Sequence, residues 1–304
     1  MKAALAAARE TINPLRWLAS MIAELTKARL TALVLITTLT GYFVARTGSG
    51  DWLAGLHVLL GTGLVAAGAA ALNQWWERDL DRLMDRTATR PLPSGQIEPW
   101  FALALGVTAS SAGILYLAVI VNVLTAVLGA LAFASYVLVY TPLKRRTTLN
   151  TFIGAIPGAL PPLMGWTAAR GEIGVGGLAL FGILFFWQIP HFMAIAWLYR
   201  EQYARAGFRM MPVVDPHGRA TGWSAAVCAA LLLVVSVLPS SLGLAGPAYT
   251  VGALALGAAF LASSIRFMQT LDRPRARLVF FASIVYLPLL LGLLMFDSAL
   301  KALG

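Results

Sequence analysis

Nine apolar runs, at about 27–46, 53–76, 100–121, 123–141, 150–169, 174–199, 222–243, 247–270 and 278–300, leave this chain little choice of fold. A bilayer core about 30 Å thick is crossed by roughly 20 apolar residues in helical form. Inside it, only helices and closed barrels satisfy every backbone polar group. The expected fold is therefore an all-α integral membrane protein with nine transmembrane helices in one bundle. Residues 1–26 form a cytoplasmic segment and residues 27–304 a single domain. The composition, 59% hydrophobic and 12% charged, has too little polar surface for a soluble domain of 304 residues.

The net charge of +10 invites a nucleic-acid partner, but the positions of the charges argue otherwise. Of 23 Lys and Arg, all but Arg46, Arg170 and Lys301 fall at the N-terminus or after the second, fourth, sixth and eighth runs. By the positive-inside rule that face is cytoplasmic and the C-terminus lies outside. Ten of the 13 acids share the face, Asp51, Glu172 and Asp297 being the exceptions, so the chemistry is expected there. The opening MKAALAAARETIN lacks the apolar core of a secretory signal, and no long Arg/Ser-rich presequence is present, which favours a bacterial plasma membrane. The single cysteine, Cys228, excludes an internal disulfide and reads as a core residue.

The second run ends in NQWWERDLDRLMDRTATRPLPSG, Asn73 to Gly95. If the helix continues, Asn73, Glu77, Asp81 and Asp85 recur every four residues on one face. Stacked carboxylates repel and call for a cation. Hard oxygen donors suit Mg²⁺, which takes one or two carboxylates plus substrate phosphates. Arg86 and Arg90 flank the following turn, and guanidinium groups bind phosphate in bidentate fashion. The competing reading is a solvated helix end in which the acids pair with Arg78, Arg82 and Arg86. Asp79 points off the acidic face.

Two further polar islands follow. YTPLKRR carries Tyr140, Lys144, Arg145 and Arg146, as phosphate contacts or as topology anchors. GAIPGALPPLMGW places Pro157, Pro161 and Pro162 among glycines at membrane depth, where broken backbone is tolerated mainly along a cavity, so this segment is expected to wall a central chamber. Gln188 and His191 sit inside the sixth run, and an intramembrane ionisable group is a functional candidate. His191 reads as an iron ligand, a base or a bundle hydrogen-bonder. Glu201, Tyr203 and Asp215 lie in the next polar loop; His57 reads as a core histidine and His217 as a loop residue.

Together these segments resemble the intramembrane UbiA-type prenyltransferase superfamily, most closely its heme O synthase branch. The resemblance rests on Asn73 to Leu92, Tyr140 to Arg146, Gly158 to Trp166 and Trp187 to Phe192. It implies a nine-helix bundle around a lateral chamber, farnesyl diphosphate and protoheme IX as substrates, Mg²⁺ as cofactor, and the lipid bilayer as environment. It implies Asn73, Glu77 and Asp81 at the metal, with Asp85 a fourth candidate, and Arg86, Arg90, Lys144 and Arg145 as the diphosphate clamp. Tyr140, Arg146, Gln188, His191, Glu201 and Tyr203 are implied substrate contacts, His191 toward heme. Downstream partners would be heme A synthase or terminal-oxidase assembly. One position departs: Gln202-Tyr203 stands where the family often has Asp-Tyr, so a second acid-bound Mg²⁺ is lost unless the neighbouring Glu201 takes its place. The alternatives are a prenyltransferase for a quinone precursor, a transporter, and a non-catalytic heme carrier.

Overall fold

The computed structural model describes residues 13–46 and 51–303. The opening residues, read as lacking a signal, lie outside the described residues, apart from Asn13. Ten long helices account for most of the described chain: α1 (Pro14–Leu25), α2 (Ala28–Ala45), α3 (Trp52–Asp81), α4 (Pro99–Tyr116) and α5 (Val123–Ala134). They continue with α6 (Asn150–Arg170), α7 (Val175–Leu198), α8 (Arg219–Val235), α9 (Pro247–Thr270) and α10 (Arg273–Leu303). Two π-helical turns, Leu117–Val121 and Ser135–Tyr140, extend α4 and α5, and the second carries Tyr136 and Tyr140.

Helices α2 to α10 overlap the nine apolar runs, most ends lying within five residues of them, while α5 and α8 stop at Ala134 and Val235, well short of the ends of theirs. Among the described residues, eight helices are long and apolar enough to cross a membrane. The helix outside that set is α6, whose 21 residues include Asn150, Pro157, Pro161 and Pro162. Its reduced apolarity has a physical reason. It packs against α2, α5 and α7 and is mostly buried, so protein rather than lipid receives its polar and proline residues.

Small residues set the spacing of the bundle, as expected where lipid offers no hydrophobic drive between helices. A Cβ at Gly41 of α2 would strike the Pro162 backbone, and one at Gly165 of α6 would strike the Thr38 carbonyl. Gly61 and Gly68 of α3 meet Leu117 and Ser110, while Gly106 and Gly113 of α4 meet Leu72, Gly61 and Val65. These close crossings bind α2 to α6 and α3 to α4.

Helix α1 lies outside the spans. Met21 and Leu25 pack on Ala71, Leu92 and Ile97, while Leu15 and Leu18 stay exposed, an interfacial pattern. The buried Gln74 donates from Nε2 to the carbonyls of Glu24 (2.9 Å) and Leu25 (2.7 Å), satisfying orphan groups at the end of α1. Lys27 then turns the chain into α2 with φ 50°, a left-handed conformation unusual for a residue with a Cβ.

Candidate active site

A cavity of about 390 Å³ lies between α2, α3, α5, α6 and α7, in the range typical of small-molecule sites. Its wall is apolar along most of its length, through Val34, Val65, Ala66, Ala69, Ala70, Phe133 and Met164. Its mouth is charged: Lys27, Arg86, Arg90 and Lys144 face Glu77 and Asp81. Four basic side chains against two acids give the mouth an excess of basic groups, and it lies at the end where α3 gives way to the basic loop.

Helix α3 supplies the acids. Asn73, Glu77 and Asp81 follow one another at one-turn intervals, and all three are buried. Each acid has a cation. Lys144 Nζ lies 2.8 Å from Glu77 Oε1 and 2.9 Å from Oε2, and Arg90 NH1 lies 2.7 Å from Asp81 Oδ2. Asn73 accepts from Lys27 Nζ (2.7 Å) and the Tyr136 hydroxyl (3.2 Å), and donates to Thr141 Oγ1 (3.1 Å). The Lys144 ammonium also stands 4.7 Å over the Tyr140 ring. Burial works against its charge, but Glu77, with Tyr140 and Tyr136, overrides that cost and holds Lys144 well above the ordinary lysine value. Lys27 goes the other way. Burial, reinforced by Arg90 and Lys144 and opposed by Glu77 and Asp81, lowers it to about 7.

The stripe stops where α3 stops. The Thr87 hydroxyl donates to the Asp81 carbonyl (2.8 Å), and the chain leaves the helix axis in a run of turns pinned by Ser94 Oγ on the Arg90 carbonyl (2.6 Å). Asp85 therefore does not continue the face, contrary to the reading that α3 runs on past it. It is exposed and pairs with Arg205 at 3.0 Å. Asp79, 66% exposed, faces Arg78 and Arg82.

Of the other residues singled out, Arg86 stands at the mouth, donating to the Tyr203 hydroxyl (3.2 Å) beneath the Tyr199 and Tyr203 rings. Tyr140, Gln188 and Tyr203 line the cavity. Gln188 bridges α6 and α7 by donating to the carbonyls of Ala155 (3.1 Å) and Leu184 (3.0 Å), and it fits only because residue 158 is glycine. Arg145, Arg146 and Glu201 are exposed and do not border the cavity. His191 also lies off the cavity wall. Its Nδ1 is 2.7 Å from Ser283 Oγ, and its ring stacks between Trp187 and Phe280, with centroids at 5.2 Å from each. The next residue, Phe192, does line the cavity. His57 is paired with the Tyr116 hydroxyl (2.6 Å), His217 is exposed, and Cys228 is buried, as their sequence surroundings suggest.

Sequence reasoning missed Lys27, counted only among the basic residues of the N-terminal side, and the cover at the mouth. Phe208 and Met210 line the cavity from the loop after α7. That loop is tied down by Arg209 N on the Lys144 carbonyl (2.7 Å) and by Asn150 Nδ2 on the Arg209 carbonyl (3.0 Å). The apolar character of FRMM was the available signal.

Among the described residues no three His, Cys, Asp or Glu side chains cluster as a self-sufficient metal cage. The donor set of Asn73, Glu77 and Asp81 nonetheless fits Mg²⁺, which is held by one or two carboxylates completed by phosphate oxygens and water.

Comparison with known proteins agrees. The model of the UbiA prenyltransferase family matches residues 34–285. The chain is 48% identical to the protoheme IX farnesyltransferase of Solibacter usitatus, covering 90% of this chain and 97% of that one. It is 43% identical to the enzyme of the same name from Koribacter versatilis, covering 91% and 93%. Among solved structures, that of a digeranylgeranylglyceryl phosphate synthase superposes with a TM-score of 0.78 at 18% identity, over 92% of this chain and 98% of that one. A UbiA homologue from Archaeoglobus fulgidus bound to DMAPP and Mg²⁺ gives 0.66 at 16% identity, over 91% and 99%. With a family match over most of its length and relatives of this identity, the chain is a multi-pass membrane protein that belongs to the UbiA prenyltransferase family.

Proposed function

We propose that this chain transfers the farnesyl group of farnesyl diphosphate to a vinyl group of protoheme IX, with addition of water, giving the hydroxyethylfarnesyl side chain of heme O. One observation carries the reading: a cation-rich mouth with two buried carboxylates opens onto an apolar cavity about 390 Å³ in volume. Such a site takes an amphiphile with a polyphosphate head and a hydrocarbon tail. The names of relatives at 43–48% identity supply farnesyl and heme.

The reaction needs charge stabilisation rather than a protein nucleophile. Breaking the allylic C–O bond leaves an allylic cation and a diphosphate carrying the bond's electrons. Mg²⁺ held by Asn73, Glu77 and Asp81 together with the diphosphate would neutralise that leaving group. Arg90 and Lys144, now on Asp81 and Glu77, are within reach of the same phosphates, and Arg86 and Lys27 complete the clamp. Aromatic walls at Tyr136, Tyr140 and Phe133 keep the cation from stray water. Arg145, Arg146, Glu201 and Asp85 serve as surface charges.

His191 is the proposed contact to heme, at the α7–α10 side: Ser283 orients its ring through Nδ1, and Nε2 would be the nitrogen to hold an iron. The charged mouth faces the cytoplasm of a bacterial cell, by the distribution of Lys and Arg, with α1 on the inner leaflet and the C-terminus outside. The product leaves within the membrane to heme A synthase or to terminal-oxidase assembly. The test is direct: purified protein, farnesyl diphosphate, MgCl₂ and reduced protoheme are incubated and the porphyrins are separated by mass. Farnesylated, hydrated heme is expected. Its absence, under conditions where an established farnesyltransferase works, sinks the proposal.

A further inference from the structure

The cavity has a closed end, and that end lies at a defined distance from the charged mouth. Lining residues on α3 run from Asp81 through Asn73, Ala70, Ala69, Ala66 and Val65 to Thr62. One turn further, Val58 is fully buried and no longer borders the cavity. The plug behind the floor is an interlocked apolar cluster of Val58, Val65, Leu117, Leu128 and Met164. It has little room to yield. A Cβ added at Gly129 would lie 3.1 Å from Leu117 Cδ1 and 3.2 Å from Met164 Cε, so those side chains already fill the space beside α5. On α6 the lining likewise ends at Met164, which is 1% exposed.

We infer that Thr62, Val65 and Met164 form the stop that fixes the length of the isoprenoid donor at three five-carbon units. The inference rests on the prenyl-transfer reading of the same cavity. Helical rise of about 1.5 Å per residue puts Thr62 roughly 17 Å from Asn73 along α3. With C–C bonds of about 1.5 Å, an extended five-carbon unit advances roughly 4–5 Å, so three units need roughly 12–15 Å and four roughly 16–20 Å. With side chains at both ends taking part of the span, three units fit and four meet the floor.

A second observation points to an occupant at that depth. Thr62 is 2% exposed, and its Oγ1 has no hydrogen-bond partner among the described residues. A buried hydroxyl is rarely left without a partner. The terminal double bond of a three-unit chain would lie beside it and offer a π face, a weak acceptor that a saturated tail lacks.

The experiment is a competition among geranyl, farnesyl and geranylgeranyl diphosphates in the purified full-length protein with Mg²⁺ and reduced protoheme, products being resolved by mass. Wild type is expected to select farnesyl. Thr62→Phe, which raises the floor by about one unit, should shift the geranyl-to-farnesyl ratio upward by roughly tenfold or more, and Met164→Ala should shift the geranylgeranyl-to-farnesyl ratio similarly, the range expected when an apolar pocket gains or loses carbons. Ratios unchanged in both variants, or all donors slowed alike, overturn the inference while leaving prenyl transfer intact. If wild type transfers none of the three, the functional reading fails. The stop is then read from binding ratios for the corresponding thiolodiphosphates, which need no turnover: unchanged ratios in both variants dismiss it, and shifted ratios uphold it.

Discussion

Arg90 NH1 lies 2.7 Å from Asp81 Oδ2, an ion pair in which the carboxylate is 2% and the guanidinium 23% exposed. A pair this buried gains little net stability, because desolvating both charges offsets their attraction. Its position matters more. It stores at the cavity mouth the anion that a metal needs and the cation that a phosphate needs, each keeping the other solvated until substrate arrives. Asp81→Asn keeps the size and removes the charge. Mg²⁺-dependent farnesyl transfer is expected to fall by about 10²–10³-fold, the scale of losing one group that stabilises developing charge. Full retained activity across a MgCl₂ titration would contradict this account of the stripe.

The Glu77–Lys144 pair is enclosed more tightly, with side-chain exposures of 6% and 15%. Lys144→Met should strand Glu77 and destabilise the detergent-solubilised protein by about 3–5 kcal/mol, the cost of breaking a buried pair by removing one partner. Adding Glu77→Gln to that variant should recover most of the loss in thermal unfolding without recovering transfer. A single variant as stable as wild type argues that Glu77 is hydrated in solution.

Lys27 is the cation expected to titrate near neutrality. Its value of about 7 lies below the ordinary 10.5 because burial disfavours the charged form. Between those two pH values the unfolded chain holds more protons than the folded one, so the contribution of Lys27 to stability rises as pH climbs through this window. Reductive ¹³C-methylation followed by NMR should show one lysine resonance titrating near pH 7 in the substrate-free protein and moving upward when diphosphate is added. All resonances titrating above pH 9 would refute the expectation.

His191 offers a test that separates the two substrates. His191→Ala should weaken protoheme binding by about tenfold or more, as losses around a metal-facing histidine do. Farnesyl diphosphate binding should be unchanged, since His191 does not border the cavity. Ser283→Ala should give a smaller loss of the same kind by freeing the ring. Unaltered heme affinity in His191→Ala removes this residue from the heme site.

These residues also show what a linear reading can reach. The spans were legible because hydropathy is written into every residue of them, and the ends of the 247–270 run coincide with those of α9. The acids Glu77 and Asp81 were legible because four-residue spacing survives folding of a helix. Asp85 was not, because α3 is ended by Thr87, six residues past the carbonyl it takes, and no local period announces that contact. Lys27 escaped because its place at the mouth depends on a left-handed turn and on the docking of α1 by Gln74, both tertiary events. Arg145 and Arg146 shared the sequence signal of Lys144, yet the turn after Leu143 sends only the first of the three inward.

The turn that Thr87 closes has a mechanical consequence. Asp81 and Arg90 sit on one folded hairpin, nine residues apart, whose shape is set by bonds within the hairpin itself. The spacing between the carboxylate and the guanidinium is thus fixed by local bonds rather than by a neighbouring helix, like the fixed jaw of a vice.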